Sequence, residues 1–130
     1  MPQATNLVVK NAAGADKTLT LINPSAGDDA IALWMIKEGA VSAAFPRLTT
    51  SAKAQAGGGR RFTLKLTIPT VYTDASSGRV STLPGAEMNF STRLAPEFPQ
   101  ANKADFVAYA SQIIALAVMK EAYGDGYPLT

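Results

Sequence analysis

The chain contains no cysteine and no histidine. The first absence removes disulfides, thiolate metal sites and cysteine nucleophiles. The second removes the commonest general base and the commonest metal ligand. No apolar run approaches the roughly 20 residues of a membrane-spanning helix. The opening MPQATNLVVK lacks the basic-then-apolar layout of a secretory signal, so synthesis in a cytoplasm is the expectation. One long stretch lacks acids. Between Gly39 and Thr73 there is no Asp or Glu, while Arg47, Lys53, Arg60, Arg61 and Lys65 all fall there. The net charge of +2 over 130 residues is mild. What matters is its distribution, a basic block in the middle of a nearly neutral chain.

What is present is an ordinary globular composition, 47% hydrophobic and 17% charged, of a length suited to one domain. NLVVK (6–10) and KTLTLI (17–22) flank the turn-rich NAAGAD, which predicts a hairpin within 1–22. IALWMI (31–36) is an apolar run short enough to be a buried strand. EGAVSAAFP then leads into RLTTSAK, where the period becomes two. Arg47, Thr49, Ser51 and Lys53 share one face, and Leu48, Thr50 and Ala52 share the other. After Gly57, Gly58 and Gly59 the alternation sharpens. Arg61, Thr63, Lys65 and Thr67 point one way, Phe62, Leu64, Leu66 and Ile68 the other. AEMNFSTRL alternates again, with Glu87, Asn89, Ser91 and Arg93 outward. These segments predict a main sheet over 31–95, with one packed face and one wet face. Asp, Ser, Gly and Pro signals mark 71–86 as a long loop within it.

The tail changes period. ANKADFVAYASQIIALAVMKEAY (101–123) is Ala-rich and free of Gly and Pro. Asn102 and Asp105 are spaced like a capping pair, Phe106, Ala110, Ile113 and Ala117 form an apolar stripe, and Gly124 and Gly126 end the helical pattern. Strands first and helix last is an α+β order. Four or five strands at about 4.8 Å spacing make an apolar face roughly 20–24 Å wide. One helix, about 10 Å across, covers around half of that width. The remainder predicts a two-fold dimer in which each helix lies over the partner's sheet and edge strands pair across the axis.

No arrangement of side chains suggests catalysis. A P-loop requires Gly-Lys-Ser/Thr opening a helix, whereas here Arg60-Arg61 opens a strand, so the triple glycine reads as a hairpin connector. Asp28-Asp29, with no histidine or further acids nearby, reads as solvated loop. Trp34 reads as core rather than as a stacking platform. The chain is therefore expected not to be an enzyme, with no catalytic or metal-binding residues, no cofactor, no small-molecule substrate and no membrane partner. Thr and Lys are common on solvent faces of strands. Here, however, charges of one sign lie on neighbouring strands with short hydroxyls between them. Arg and Lys supply phosphate contacts, and the hydroxyls let a base approach. A flat sheet cannot enter the deep major groove of A-form RNA but can present pockets to unpaired bases. The residues alone are compatible with a dimeric regulator that binds RNA or single-stranded DNA on a sheet platform.

The chain also resembles the coat proteins of single-stranded RNA bacteriophages, the leviviruses. The resemblance is carried by the ordered set LVVKNAAGADKTLTLINP, AIALW, GAV, RRFTLKLTIP, MNF and the terminal GYPLT. It implies an N-terminal hairpin, a five-stranded antiparallel sheet and two C-terminal helices interlocking with a partner. The implied homodimers assemble in the bacterial host cytoplasm into the icosahedral shell of a virion. The inner sheet face would bind genomic RNA, including a hairpin that represses translation and marks the genome for packaging. Residue by residue, the resemblance implies RNA binding by Arg47, Thr49, Ser51, Lys53, Arg61, Thr63, Lys65 and Asn89. Thr49, Ser51 and Thr63 would form adenine pockets with Ile31 as an apolar wall. The 71–86 segment resembles the loop around the shell's symmetry axes. One position departs from the pattern. Some members carry a base-stacking tyrosine where this chain has Glu87, and a carboxylate neither stacks on a base nor tolerates phosphate.

Overall fold

A computed structural model describes residues 3–39 and 41–130. Met1, Pro2 and Ala40 (the middle of the GAV element) lie outside the described residues. The chain divides into two compact units, Met1–Leu94 and Ala95–Thr130. The first holds six antiparallel strands in sequential order: β1 Leu7–Lys10, β2 Asp16–Asn23, β3 Ala32–Met35, β4 Arg47–Ala54, β5 Arg60–Thr73 and β6 Val80–Leu94. The architecture is the expected α+β one, with a correction to the strand count. The hairpin is not separate from a five-stranded sheet. The first half of β2 pairs with β1 and its second half with β3, giving one six-stranded sheet.

The core follows from the alternation. Leu19, Ala32, Trp34 and Leu48 are buried together on one face, with Leu21, Ile36, Leu64, Leu66 and Ala4 packed around them. The Trp34 indole donates Nε1–H to the carbonyl of Thr5 at 2.9 Å, and the Leu21 amide donates to Asn6 Oδ1 at 2.9 Å. These two bonds tie the extended N-terminal segment over the cluster. IALWMI is therefore not buried throughout. Ala32 and Trp34 face the core, while Leu33 and Met35 are half-buried on the opposite face.

The connector between β4 and β5 requires its glycines, because Gly57, Gly58 and Gly59 have φ of +85°, +86° and +85°. Side chains with a Cβ rarely adopt three successive left-handed residues.

The 71–86 stretch is not a loop. β5 runs to Thr73 and β6 begins at Val80, so the two strands continue as a hairpin past the end of β4. Only Asp74–Arg79 turns. There Asp74 Oδ1 accepts from the Ser76 amide at 2.8 Å and the Ser76 hydroxyl at 2.7 Å, which lowers the Asp74 pKa from its ordinary value. A register shift interrupts the arm between Ile68 and Thr70, where Pro69, Pro84 and Gly85 lie. Proline cannot donate to a ladder and settles at such bulges. A Cβ on Gly85 would sit 2.0 Å from the Ile68 carbonyl oxygen.

In the second unit, α1 Gln100–Ala115 and α2 Ala117–Asp125 replace the single helical pattern. Leu116, extended at φ −61° and ψ 139°, separates them. The Asn102–Asp105 cap is also corrected. Pro99 occupies the N-cap, and no side chain caps the helix. Phe98 packs edge-on against Phe106 at 6.2 Å. Gly126, at φ 76°, closes α2, while Gly124 lies inside it. Neither helix buries a residue, and Ile113, Leu116 and Val118 are exposed.

Candidate nucleic-acid interface

In an antiparallel ladder, directly opposed residues project to the same face. The pairing of β4, β5 and β6 therefore sorts the polar face into four rows. Arg61 stands between Lys53 and Arg93, Thr63 between Ser51 and Ser91, Lys65 between Thr49 and Asn89, and Thr67 between Arg47 and Glu87. All eight residues selected from the sequence lie on this one face. Lys53 lies six positions along the strand from Arg47, so the rows span roughly 20 Å. Ile31, 58% exposed, directly precedes β3 and lies outside it.

The rows differ in chemistry. The first is three cations side by side. Like charges directly opposed across strands destabilise a sheet. Arg61 donates Nε–H to Ser91 Oγ at 3.1 Å, and among the described residues none of the three cations is in an ion pair. The second row is all hydroxyls, with Ser51 and Thr63 half-buried. At the far end, Glu87 accepts at both oxygens. Lys65 Nζ lies 3.1 Å from Oε2, and Asn89 Nδ2 donates to Oε1 at 3.1 Å. The Lys65 hydrogen bond, seconded by that of Asn89, lowers the Glu87 pKa from its ordinary value. Glu87 is the only acid in the four rows.

The alternation of AEMNFSTRL places Arg93 outward without showing what it stands beside. Only strand register shows that it completes a cation row. Arg60, one residue before Arg61, belongs to the opposite face and pairs with Asp28. Asp28 and Asp29 do not act together. Asp28 engages Arg60, while the Asp29 amide donates to the Ala52 carbonyl at 2.7 Å. No group of three or more metal-ligating side chains occurs among the described residues.

A family model described as Levivirus coat protein matches residues 2–119. Among solved structures, the virus-like particle of bacteriophage NT-214 is 19% identical, with a TM-score of 0.84 over 99% of this chain and 100% of that one. The virus-like particle of Beihai levi-like virus 21 is 20% identical, with a TM-score of 0.73 over 99% of each chain. The bacteriophage GA capsid protein is 19% identical, with a TM-score of 0.65 over 95% of each. No match is found among curated proteins. The fold agrees with these particles, and the sequence model spans nearly the whole chain. The chain belongs to the levivirus coat protein family, and it is a shell-forming structural protein of the virion rather than an enzyme.

Proposed function

We propose that the coat protein works as a homodimer whose polar sheet face binds single-stranded RNA inside the shell. The observation that carries the RNA reading is the row Lys53, Arg61 and Arg93. Three opposed cations with no acid between them cost the free sheet stability and are matched by phosphate. The hydroxyl row of Ser51, Thr63 and Ser91 lies one step along the strands, about 7 Å away, close to the spacing of a nucleotide. Backbone phosphates settle on the cations, and unpaired bases lie over the hydroxyls and Thr49, with Ile31 at the margin. Arg47, Lys65 and Asn89 extend the surface. A hairpin loop bound here provides the means to repress translation and to mark a genome for packaging.

The dimer reading rests on exposed apolar surface. On the face opposite the RNA rows, Phe62 (37%), Met88 (40%) and Ile68 (46%) are open to solvent. β6 is the outermost strand of the sheet, 15 residues long, with one side of its backbone unpaired. Such an edge invites a second strand. Two copies joined β6 to β6, each donating its exposed helical residues to the other, remove both liabilities. The hairpin arm beyond β4 exposes Val71, Tyr72 and Leu83, and a free two-stranded ribbon is marginal in water. Contacts between dimers around the shell's axes stabilise it. Assembly takes place in the cytoplasm of the bacterial host.

Expression in bacteria followed by electron microscopy and an absorbance ratio tests this. RNA-filled shells are expected from the natural chain. An Arg61→Ala/Arg93→Ala chain is expected to give shells with much less RNA. Undiminished RNA content would remove the face as the RNA surface. Dissociated protein sedimenting as a monodisperse monomer at micromolar concentration would overturn the dimer.

A further inference from the structure

We infer that Glu87 selects an unpaired guanine at its end of the RNA face. The inference rests on the RNA reading above and adds the base it favours. Glu87 belongs to the fourth row, about 20 Å from the cation row. The Glu87 and Lys65 side chains are both about half exposed, so the pair is within reach of a ligand on the sheet. The carboxylate is not free to swing. Lys65 holds Oε2 and Asn89 holds Oε1, each at 3.1 Å.

An ionised carboxylate offers about four lone-pair sites. Two are filled by Lys65 and Asn89, and one remains on each oxygen. The two oxygens of one carboxylate can together receive two parallel donors, as they do from an arginine fork. Among the four bases, only guanine presents two parallel donors on one edge, N1–H and the N2 amino group. Adenine, cytosine and uracil each offer one donor on that edge. A phosphate is repelled by the same charge, and a base stacked flat finds no ring beneath it. The pairing also turns the Lys65 ammonium and the Asn89 amide toward Glu87, so that they extend the surface for a base rather than for the RNA backbone. Glu87 thus exchanges general affinity for discrimination, in contrast to the cation row, which binds any sequence.

The test uses the dissociated full-length protein and hairpins of one stem whose loop carries guanine, inosine, adenine or uracil at a single unpaired position. The natural chain should prefer guanine over inosine, which lacks the N2 amino group, and over adenine by about tenfold. Glu87→Gln should abolish that preference. It should also tighten binding to every loop and steepen the salt dependence by about 0.7–0.9, because Lys65 is released to phosphate. Arg61→Ala, measured alongside, should weaken all four hairpins equally. If Glu87→Gln gains affinity on every loop without changing their order, or changes nothing while Arg61→Ala still weakens binding, the guanine assignment is overturned and the RNA surface stands. If Arg61→Ala also changes nothing, the RNA surface itself is wrong.

Discussion

The two ends of the sheet are built to different degrees of completion. Around β2, β3 and β4, Trp34, Leu19, Ala32 and Leu48 are closed over within the chain, and the N-terminal segment is bonded across them. Around β5 and β6 the same face continues, yet Phe62, Met88 and Ile68 remain open. One end is a finished core, and the other is open on the face that the proposed dimer covers. β4, β5 and β6 alternate with the same period, yet Leu48 on β4 is buried while Phe62 and Met88 on β5 and β6 are not, so the difference lies in what covers the face as well as in the strands.

Substitutions of apolar residues at the two ends should therefore fail in different ways. Trp34→Ala removes the largest core side chain together with its bond to Thr5, and should cost roughly 3–5 kcal/mol in urea unfolding of the dissociated protein. A cost under about 1 kcal/mol, the level of a surface change, would mean that this cluster is not the core. Met88→Asp should leave the isolated chain folded by far-UV circular dichroism. It buries an unpaired carboxylate only when two copies meet, a desolvation cost large enough to prevent dimers and shells. Normal shells from Met88→Asp would erase the contrast between the ends.

A third change probes the arm that grows from the open end. Gly85→Ala places a methyl group against the Ile68 carbonyl, where 2.0 Å leaves no room. The bulge must rearrange, at a cost of roughly 1–3 kcal/mol. The loss should be local. Amides between Thr70 and Thr82 should exchange faster with solvent, while those of β2 and β3 stay protected. Uniform loss of protection would show that the arm and the closed end unfold as one unit.

Much of this was legible because alternation carries register. The outward residues of RLTTSAK and RRFTLKLT could be assigned to one face before any pairing was known, and the pairing placed them there. Where the sequence misled, a longer-range partner outweighed the local signal. Ser76, Ser77, Gly78, Pro84 and Gly85 crowd the 71–86 stretch with turn chemistry, but only Asp74–Arg79 turns. The flanks become strands because each has the other to pair with. The break at Leu116 carries no Gly or Pro to announce it. Arg93 could be seen to face outward, but its place beside Arg61 and Lys53 depends on pairings among three strands. Glu87 next to Asn89 was legible as a same-face neighbour two residues away. Its ion pair with Lys65 was not.

The smallest effect tests whether the two ends also divide the labour of binding. Arg93 and Lys17 are both cations on strands. Arg93 completes a row of like charges on β6, whereas Lys17 on β2 is matched by Glu38 at 2.8 Å. A cation already neutralised by a carboxylate releases no counterion when RNA arrives, and one facing only other cations does. Arg93→Ala should therefore flatten the dependence of log affinity on log salt by about 0.7–0.9, with only a few-fold weakening at moderate salt. Lys17→Ala should leave slope and affinity unchanged, and its stability cost should stay within the small range of an exposed pair. Equal slopes for the two variants would place the phosphate along the whole sheet, making the row at the β4–β6 end an ordinary patch of surface charge.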